Sequence, residues 1–280
     1  MATAASVSGN REKELWRCLG EVNDPELDEP ITEMGFVERA VMTGDGSVEI
    51  DFRLPTYWCS PNFAFLMLDG VRKALDQLSW SPAYRVKLHD HMFAEEVNRG
   101  MAAGKIFGHI FAELAEDQDL GALRETFRMK AFKRRQEAVL RGLRQHGLTD
   151  REILGMDLPA YDVARLEAGE AAKQKPRYRA ALIERFPGRR ADDPVFVTWE
   201  GQRIQTAALG THLAELRGVR VNMEFNGALC RGLKQTRYKE LDVVDGEPTL
   251  VDFIMDRVPA RAAPTPEVEP KTTASLARGP

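Results

Sequence analysis

The stretch LPTYWCSPNF, residues 54–63, places a cysteine where an alternating apolar segment gives way to a helix. Cys59 comes directly before Ser60, a good helix N-cap, and Pro61, which suits the first helical position. The free backbone N–H groups and the positive dipole end of such a helix favour the thiolate over the thiol. A cysteine at a strand end is equally a small apolar filler, so a reactive thiol and a packing residue remain alternatives.

A second group of polar side chains lies in LHDHMFAEEVN, residues 88–98, at the end of an expected strand and over the first turns of an expected helix. The spacing of four between His91 and Glu95 places an imidazole and a carboxylate on one helix face. That arrangement suits divalent iron or zinc, and it is also the spacing of an ordinary salt-linked pair. The other polar members of the group are Asp90 and Asn98.

These two segments converge if the strand before Cys59 lies beside the strand before Asp90 and His91. Both would then end at one edge of the sheet, near the acidic loop that carries Asp24 and Glu26. A soft thiolate with an imidazole and hard carboxylates suits a borderline ion such as Fe(II) or Zn²⁺, bound openly and exchangeably. We therefore expect a metal site with Cys59, Asp90 and His91, together with Glu95, as candidate ligands.

Cys230 lies between Gly227 and Gly232 near the end of the chain. If the C-terminal part folds back on the N-terminal part, Cys59 and Cys230 could share one metal ion or cluster. If it does not, Cys230 is a structural residue, and the sequence leaves both interpretations open.

Composition limits the class of protein. The chain has 280 residues and a net charge of −4, enough for one or two proper cores. No apolar run approaches the ~18 residues of a membrane span, and the start lacks a secretory signal, so we expect a cytoplasmic protein without a membrane partner. Three well-separated cysteines argue against a disulfide framework and against a self-contained zinc knuckle.

Apolar periodicity predicts an α+β protein with a small N-terminal α/β domain, a helical middle and a second small α+β unit. The N-terminal domain reads as helix, hairpin, helix and strand, with the hairpin at 36–42 and 47–54 and the third strand at 84–88. In the second unit, residues 194–198 and 219–225 read as strands. The expected boundaries are a disordered tail at 1–10, the first domain at 11–105, helices at 106–190, the second unit at 191–257 and a disordered tail at 258–280.

Charge is unevenly distributed. Residues 11–35 are acidic, whereas residues 124–144 carry eight basic side chains against two acidic ones. We interpret the basic stretch as a solvated helix face. Nucleic-acid-binding modules usually add aromatic residues and a basic overall charge, whereas the net charge of this chain is −4. We do not expect a nucleic-acid partner.

The N-terminal motifs resemble a known family. VNDPELDEPITEMGFV at 22–37, the hairpin, and TYWCSP at 56–61 are similar to the metal–sulfur, or iron–sulfur, cluster assembly domain, with its DPE loop and its T-x-x-C motif before a helix. Ser60 stands between the cysteine and the proline, and DHMFAEEVN replaces the closing P-x-W of the family. The resemblance implies that Cys59 binds or hands over iron–sulfur clusters, with Asp24, Glu26 and Thr56 as supporting residues.

Further motifs resemble a longer branch of that family, whose members are encoded beside soluble di-iron monooxygenases. The last of them is NGALCRGLKQTRY at 226–238, which includes Cys230. The resemblance implies a role in assembling or maturing such a metalloenzyme, with iron or an iron–sulfur cluster as transient cargo and Zn²⁺ as an alternative.

Three functions therefore compete. The first is an assembly factor, not an enzyme, that carries iron or a cluster on Cys59, joined by Cys230, and docks on a client with its basic helix at 130–144. The second is a thiol enzyme with Cys59 as nucleophile and His91 or His89 as base. The third is a nucleic-acid-binding protein that uses the arginine-rich helix. The sequence predicts no oligomeric state.

Overall fold

The computed structural model describes residues 4–112, 120–238, 243–244 and 247–248. It confirms the α+β class with a helical middle. The N-terminal part contains helix α1, the strands β1 and β2, helix α2 and strand β3. Their bounds are Ala4–Gly20, Val37–Met42, Val48–Arg53, Pro61–Asp76 and Tyr84–His89.

The central strand of the sheet is β2, which pairs antiparallel with β1 and parallel with β3. Arg53 at the end of β2 lies opposite His89 at the end of β3. The carboxyl ends of these two strands therefore meet at one edge of the sheet. This confirms the direction on which the expected convergence of Cys59 with Asp90 and His91 depended.

The alternating burial of side chains in β2 explains why the sequence pattern predicted the hairpin. Val48, Ile50 and Phe52 are buried, whereas the alternate residues Glu49 and Asp51 are only partly covered. Strict alternation of this kind marks a strand with one face on the core. Helix α2 packs behind the strands and buries most of its apolar side chains.

The remainder of the described chain is mostly helical. Two short strands, β4 and β5, form an antiparallel pair near its end. The elements are α3 at Ala94–Ala102, α4 at Phe107–Ile110, α5 at Gly121–Gln145, α6 at Asp150–Leu154, α7 at Leu158–Val163, α8 at Glu170–Arg185, α9 at Leu209–Tyr238, β4 at Val243–Val244 and β5 at Glu247–Pro248.

Two hydrophobic cores share two long helices. In α5, Phe127 belongs to the core of the N-terminal domain and Phe132 to the core of the helical part. In α9, Leu216 packs in the helical core, whereas Cys230 packs against the N-terminal core. The C-terminal half of α9 therefore lies on the domain that carries Cys59.

The strands expected in the second unit are wrong. Residues 219–225 lie inside α9, and within 194–198 only an isolated bridge from Val197 to Arg203 is present. The alternation of Val219, Val221, Met223 and Phe225 with polar residues is typical of a strand. The buried residues of α9 instead follow a helical period, at Leu209, Leu216, Met223, Gly227 and Lys234.

The N-terminal tail also differs from expectation, because α1 begins at Ala4 and residues 4–10 are helical. The C-terminal tail expected at 258–280 lies outside the described residues. Within the described part of the chain, every helix is too short or too polar to cross a membrane.

Candidate functional site

Cys59 lies in the short connection from β2 to α2, two residues before the helix begins at Pro61. Its side chain is half-buried, and its Sγ lies 3.1 Å from the hydroxyl of Thr56. Ser60 takes the N-cap position without a side-chain capping bond. Either atom can be the donor in this contact, which ties the Cys59 side chain to Thr56.

His91 fixes the main chain of Cys59. Its Nε2 lies 2.7 Å from the carbonyl oxygen of Cys59, and its Nδ1 accepts a hydrogen bond of 3.2 Å from the backbone N–H of Phe93. These partners assign the ring proton to Nε2. The side chain is only 4% exposed, and burial lowers the pKa of His91, with the positive charge of Arg237 acting in the same direction and the Cys59 hydrogen bond opposing it. His91 is a neutral clamp whose two nitrogens are both engaged.

The expected placement of His91 and Glu95 on one helix face is wrong. The helix α3 begins only at Ala94, so His91 precedes it and does not share a helix face with Glu95, which is exposed. The carboxylate of Asp90 pairs with Arg53 at 3.1 Å. Among the described residues, no three His, Cys, Asp or Glu side chains are grouped to hold a metal ion.

Asn98 has a local structural role. Its side chain donates to the carbonyl of Leu88 at 2.9 Å and accepts from the N–H of Leu88 at 2.8 Å. This pair of bonds replaces a strand partner at the outer edge of β3 and fixes α3 to the sheet. It also holds the turn that contains His91.

Replacing His91 should therefore loosen the Cys59 loop. We expect His91→Leu to lower the free energy of unfolding by about 1–3 kcal/mol, because it leaves the Cys59 carbonyl and the Phe93 N–H without partners. His91→Gln supplies one donor and one acceptor and should lose less. Urea unfolding measures both, with the exposed His109→Leu as control. Equal stability of His91→Leu and His109→Leu would contradict the clamp.

Cys230 approaches the same loop from α9. Burial raises the pKa of the Cys230 thiol to about 11, with the negative charges of Asp24, Cys59 and Glu26 acting in the same direction and the positive charge of Arg231 opposing them. Cys59 and Cys230 both pack against the core of the N-terminal domain. A cation bound by Cys230 would displace the thiol proton.

The motif NGALCRGLKQTRY forms one side of α9 that covers the N-terminal domain. Asn226 donates to Glu26 at 3.4 Å, and Arg231 pairs with Glu29 at 2.6 Å. Arg237 donates to the carbonyl of Asp90 at 2.6 Å, and the Tyr238 hydroxyl donates to the carbonyl of Leu54 at 3.1 Å. The motif thus closes over the DPE loop and over the residues that flank Cys59.

The DPE loop is folded around a buried carboxylate. Oδ1 of Asp24 accepts the backbone N–H groups of Glu26 and Leu27, both at 2.9 Å. Burial raises the pKa of Asp24 to about 6 despite these bonds. Lys130 lies 3.7 Å from Glu26 on the outer side of the loop. Asp24 and Glu26 therefore shape the loop beside Cys230.

The sequence did not predict the role of Asp28, a residue of the DPE loop. Asp28 is only 3% exposed and accepts hydrogen bonds of 2.8 Å from Arg135 on α5 and 2.8 Å from Arg177 on α8. The only indication in the sequence was the opposite charge of the acidic segment at 11–35 and the basic segment at 124–144. Their pairing depends on residues more than a hundred positions apart, which a local reading of sequence does not reveal.

The basic stretch of α5 pairs with acidic side chains of the same chain, and its expected role as a docking surface stays a prediction. Each of its eight basic residues forms an ion pair within the chain, and three of the acidic partners are in the DPE loop. The pairs are Arg124–Asp69, Arg128–Glu184, Lys130–Glu26, Lys133–Glu215, Arg134–Glu29, Arg135–Asp28, Arg141–Glu137 and Arg144–Asp150.

The three free thiols should differ in reactivity. We expect iodoacetamide at neutral pH to modify Cys59 first, because burial raises the pKa values of both Cys18 and Cys230 and the thiolate is the reactive form. Peptide mapping after brief alkylation gives the order. Earlier modification of Cys18 would contradict this assignment.

Comparison with known proteins adds one finding. Residues 12–87 match the family model described as iron-sulfur cluster assembly protein. The matched segment includes the DPE loop, Thr56 and Cys59, and it ends before His91 and Cys230. No curated protein and no solved structure gives a significant match to the chain.

Proposed function

Since residues 12–87 match the iron–sulfur cluster assembly family, we propose that this protein is a carrier that holds iron–sulfur cargo on Cys59 and Cys230 and passes it to a client protein. The observation that supports the proposal is the packing of Cys59 and Cys230 against the same N-terminal core. The two residues are 171 positions apart in sequence, and the C-terminal half of α9 lies on the domain that carries the cysteine of the family motif. Zn²⁺ is the alternative cargo for the same thiolates.

Release of cargo is as important as binding in such a carrier. Two thiolates hold a cluster less firmly than the four cysteines of a resident site. The acidic residues Asp24 and Glu26 attract a cationic cargo, and the half-buried thiols remain reachable from solvent. This combination suits a site that loads and unloads.

A di-iron monooxygenase component is the client we propose, on the resemblance of the C-terminal motif. The surface for such a client lies around the thiols. Trp58, directly before Cys59, is 73% exposed and marks that surface. We propose a cytoplasmic location, where three unpaired thiols persist.

The thiol-enzyme hypothesis receives less support. His91 contacts the carbonyl of Cys59 and uses both ring nitrogens, so it does not act as a base toward the sulfur. His89 lies 2.8 Å from Asp51 and is engaged there. A carrier needs no base, which agrees with this geometry.

Anaerobic loading tests the proposal. The full chain is incubated with ferric iron and sulfide and desalted, and bound iron, sulfide, zinc and visible absorption are then measured. We expect the wild type and Cys18→Ala to retain iron and sulfide in equal amounts, and Cys59→Ala to lose them. Retention of zinc alone would identify the alternative cargo. A wild type that retains neither metal would contradict the proposed function.

A further inference from the structure

The outer edge of β3 has open backbone groups at its start. In the three-stranded sheet, β3 pairs with β2 on one side, where the carbonyl of Ala83 accepts a backbone N–H of β2. Because successive backbone groups of a strand point to opposite sides, those of Tyr84, Val86 and Leu88 point away from β2. Asn98 bonds both groups of Leu88, whereas no described residue bonds those of Tyr84 and Val86. The start of this edge can therefore accept a further strand.

A cavity of about 360 Å³ lies beside these open groups. Its lining includes Val86 of β3, Leu68 of α2 and Met101 of α3, so it lies on the face of the sheet that α2 covers. Arg72 of α2 lines it too, and the Nε of Arg72 is buried without a hydrogen bond to any described residue. Since the side chains of a strand alternate between two faces, every second side chain of an added strand would point toward this cavity. The cavity suits an apolar side chain.

The opposite face of β3 is basic. Arg85 and Lys87 are exposed there. The residues opposite them on β2, Glu49 and Asp51, pair with Arg39 of β1. Arg85 and Lys87 form no ion pair with the part of the chain that the structure describes. An added strand would therefore lie next to two uncompensated positive charges, and acidic side chains opposite them would stabilise the pairing.

A second copy of this chain is a poor occupant of the edge. In a two-fold pairing of β3 with itself, Arg85 and Lys87 would lie near the same residues of the other copy. Like charges across a strand pair are destabilising, and lysine on an edge strand is a common device against such self-pairing. The charges therefore favour a different, acidic chain.

We propose that the outer edge of β3 binds an extended acidic segment of the client protein as an additional strand, with an apolar side chain in the cavity beside Val86. That the acidic chain is the client rests on the proposed function. Tyr84 lies opposite Val48 at the start of β2, whereas Cys59 follows the end of β2. A client held at this edge would leave the surface around the thiols open, so it can stay bound while cargo is transferred.

The probe is a short blocked peptide in which glutamate and valine alternate, added to the full chain without iron or sulfide. We expect it to bind, and the exchange of the amide hydrogens of Tyr84 and Val86, followed by NMR, should slow. A peptide with lysine in place of glutamate should bind about 10-fold more weakly, because it sets like charges opposite Arg85 and Lys87.

Two variants of the edge separate its backbone from its charges. Val86→Pro removes the outward N–H without removing a bond to β2, so it should weaken binding of the glutamate peptide. Arg85→Glu/Lys87→Glu should reverse the preference, with the lysine peptide bound about 10-fold more tightly than the glutamate peptide. Arg151→Glu, at an exposed position on α6, is the matched control and should bind as the wild type does.

Three results would overturn the strand site. They are unchanged exchange at Tyr84 and Val86, equal binding of the two peptides by the wild type, and a dimer in light scattering that Val86→Pro disperses, which would assign the edge to a second copy. The proposed function is tested separately. A wild type that binds the glutamate peptide as expected but retains no iron, sulfide or zinc would contradict the carrier function and support the strand site.

Discussion

Replacing Asp28 by alanine should lower the free energy of unfolding by about 3–5 kcal/mol, the cost of removing one partner from a buried ion pair. Asp28 is bound by Arg135 and Arg177. Without the Asp28 carboxylate, the poorly exposed guanidinium groups of Arg135 and Arg177 lose a negatively charged partner. The DPE loop would also lose its anchor to α5 and α8, so we expect weaker cluster loading in the same variant.

Two further variants separate the causes of this loss. Asp28 has a φ of 54°, which asparagine tolerates well and alanine poorly. Asp28→Asn therefore keeps the backbone preference and removes the charge. Glu33→Ala breaks an exposed pair with Lys173 and should cost at most about 1 kcal/mol. Urea unfolding followed by circular dichroism gives all three values, and an Asp28→Ala loss as small as that of Glu33→Ala would refute the anchoring role.

The second large effect concerns the two thiols. Cys59→Ala and Cys230→Ala should each reduce the iron and sulfide retained after anaerobic loading by about 10–100-fold or more, because changes around metal ligands already cost that much and here a ligand is lost. The double variant should be little worse than either single one. Groups that act as one unit show this lack of additivity.

Titration of iron against a competing chelator measures these affinities. Cys18→Ala is the matched control, since it removes a thiol that lies outside the site. If Cys230→Ala retained cargo as the wild type does, Cys59 would act alone and Cys230 would be a packing residue. Independent, additive losses would show that the two thiols hold separate ions.

The parts of the fold that were predictable from sequence are those with strong local patterns. The alternation in β2 and the Ser60–Pro61 start of α2 gave the bounds of both elements closely. The apolar alternation at 219–225 covers seven residues and predicted a strand, but it lies within a helix of thirty residues whose buried positions follow a helical period. Burial in α9 is set by packing on two cores, and no short window of sequence contains that information.

The sequence predicted the proximity of His91 and Cys59, because that proximity depends only on the direction of the strands. Parallel pairing of β2 and β3 brings His91 to Cys59, as the strand-end argument required. The role of His91 was not predictable, because a ligand and a clamp use the same ring nitrogens and differ only in what those nitrogens contact. The acidic and basic segments were both recognised, but their mutual neutralisation depends on how α5 packs against the DPE loop.

Transfer of a cluster to an acceptor protein is the most direct test of a carrier function. The anaerobically loaded wild type is mixed with an apo-ferredoxin that has a four-cysteine site, with and without an iron chelator in solution, and the cluster signal of the acceptor is followed by circular dichroism. We expect the acceptor to gain its cluster at a rate that the chelator does not change, because cargo passes directly from Cys59 and Cys230 to the acceptor thiolates. Absence of transfer, or complete interception by the chelator, would contradict a carrier function.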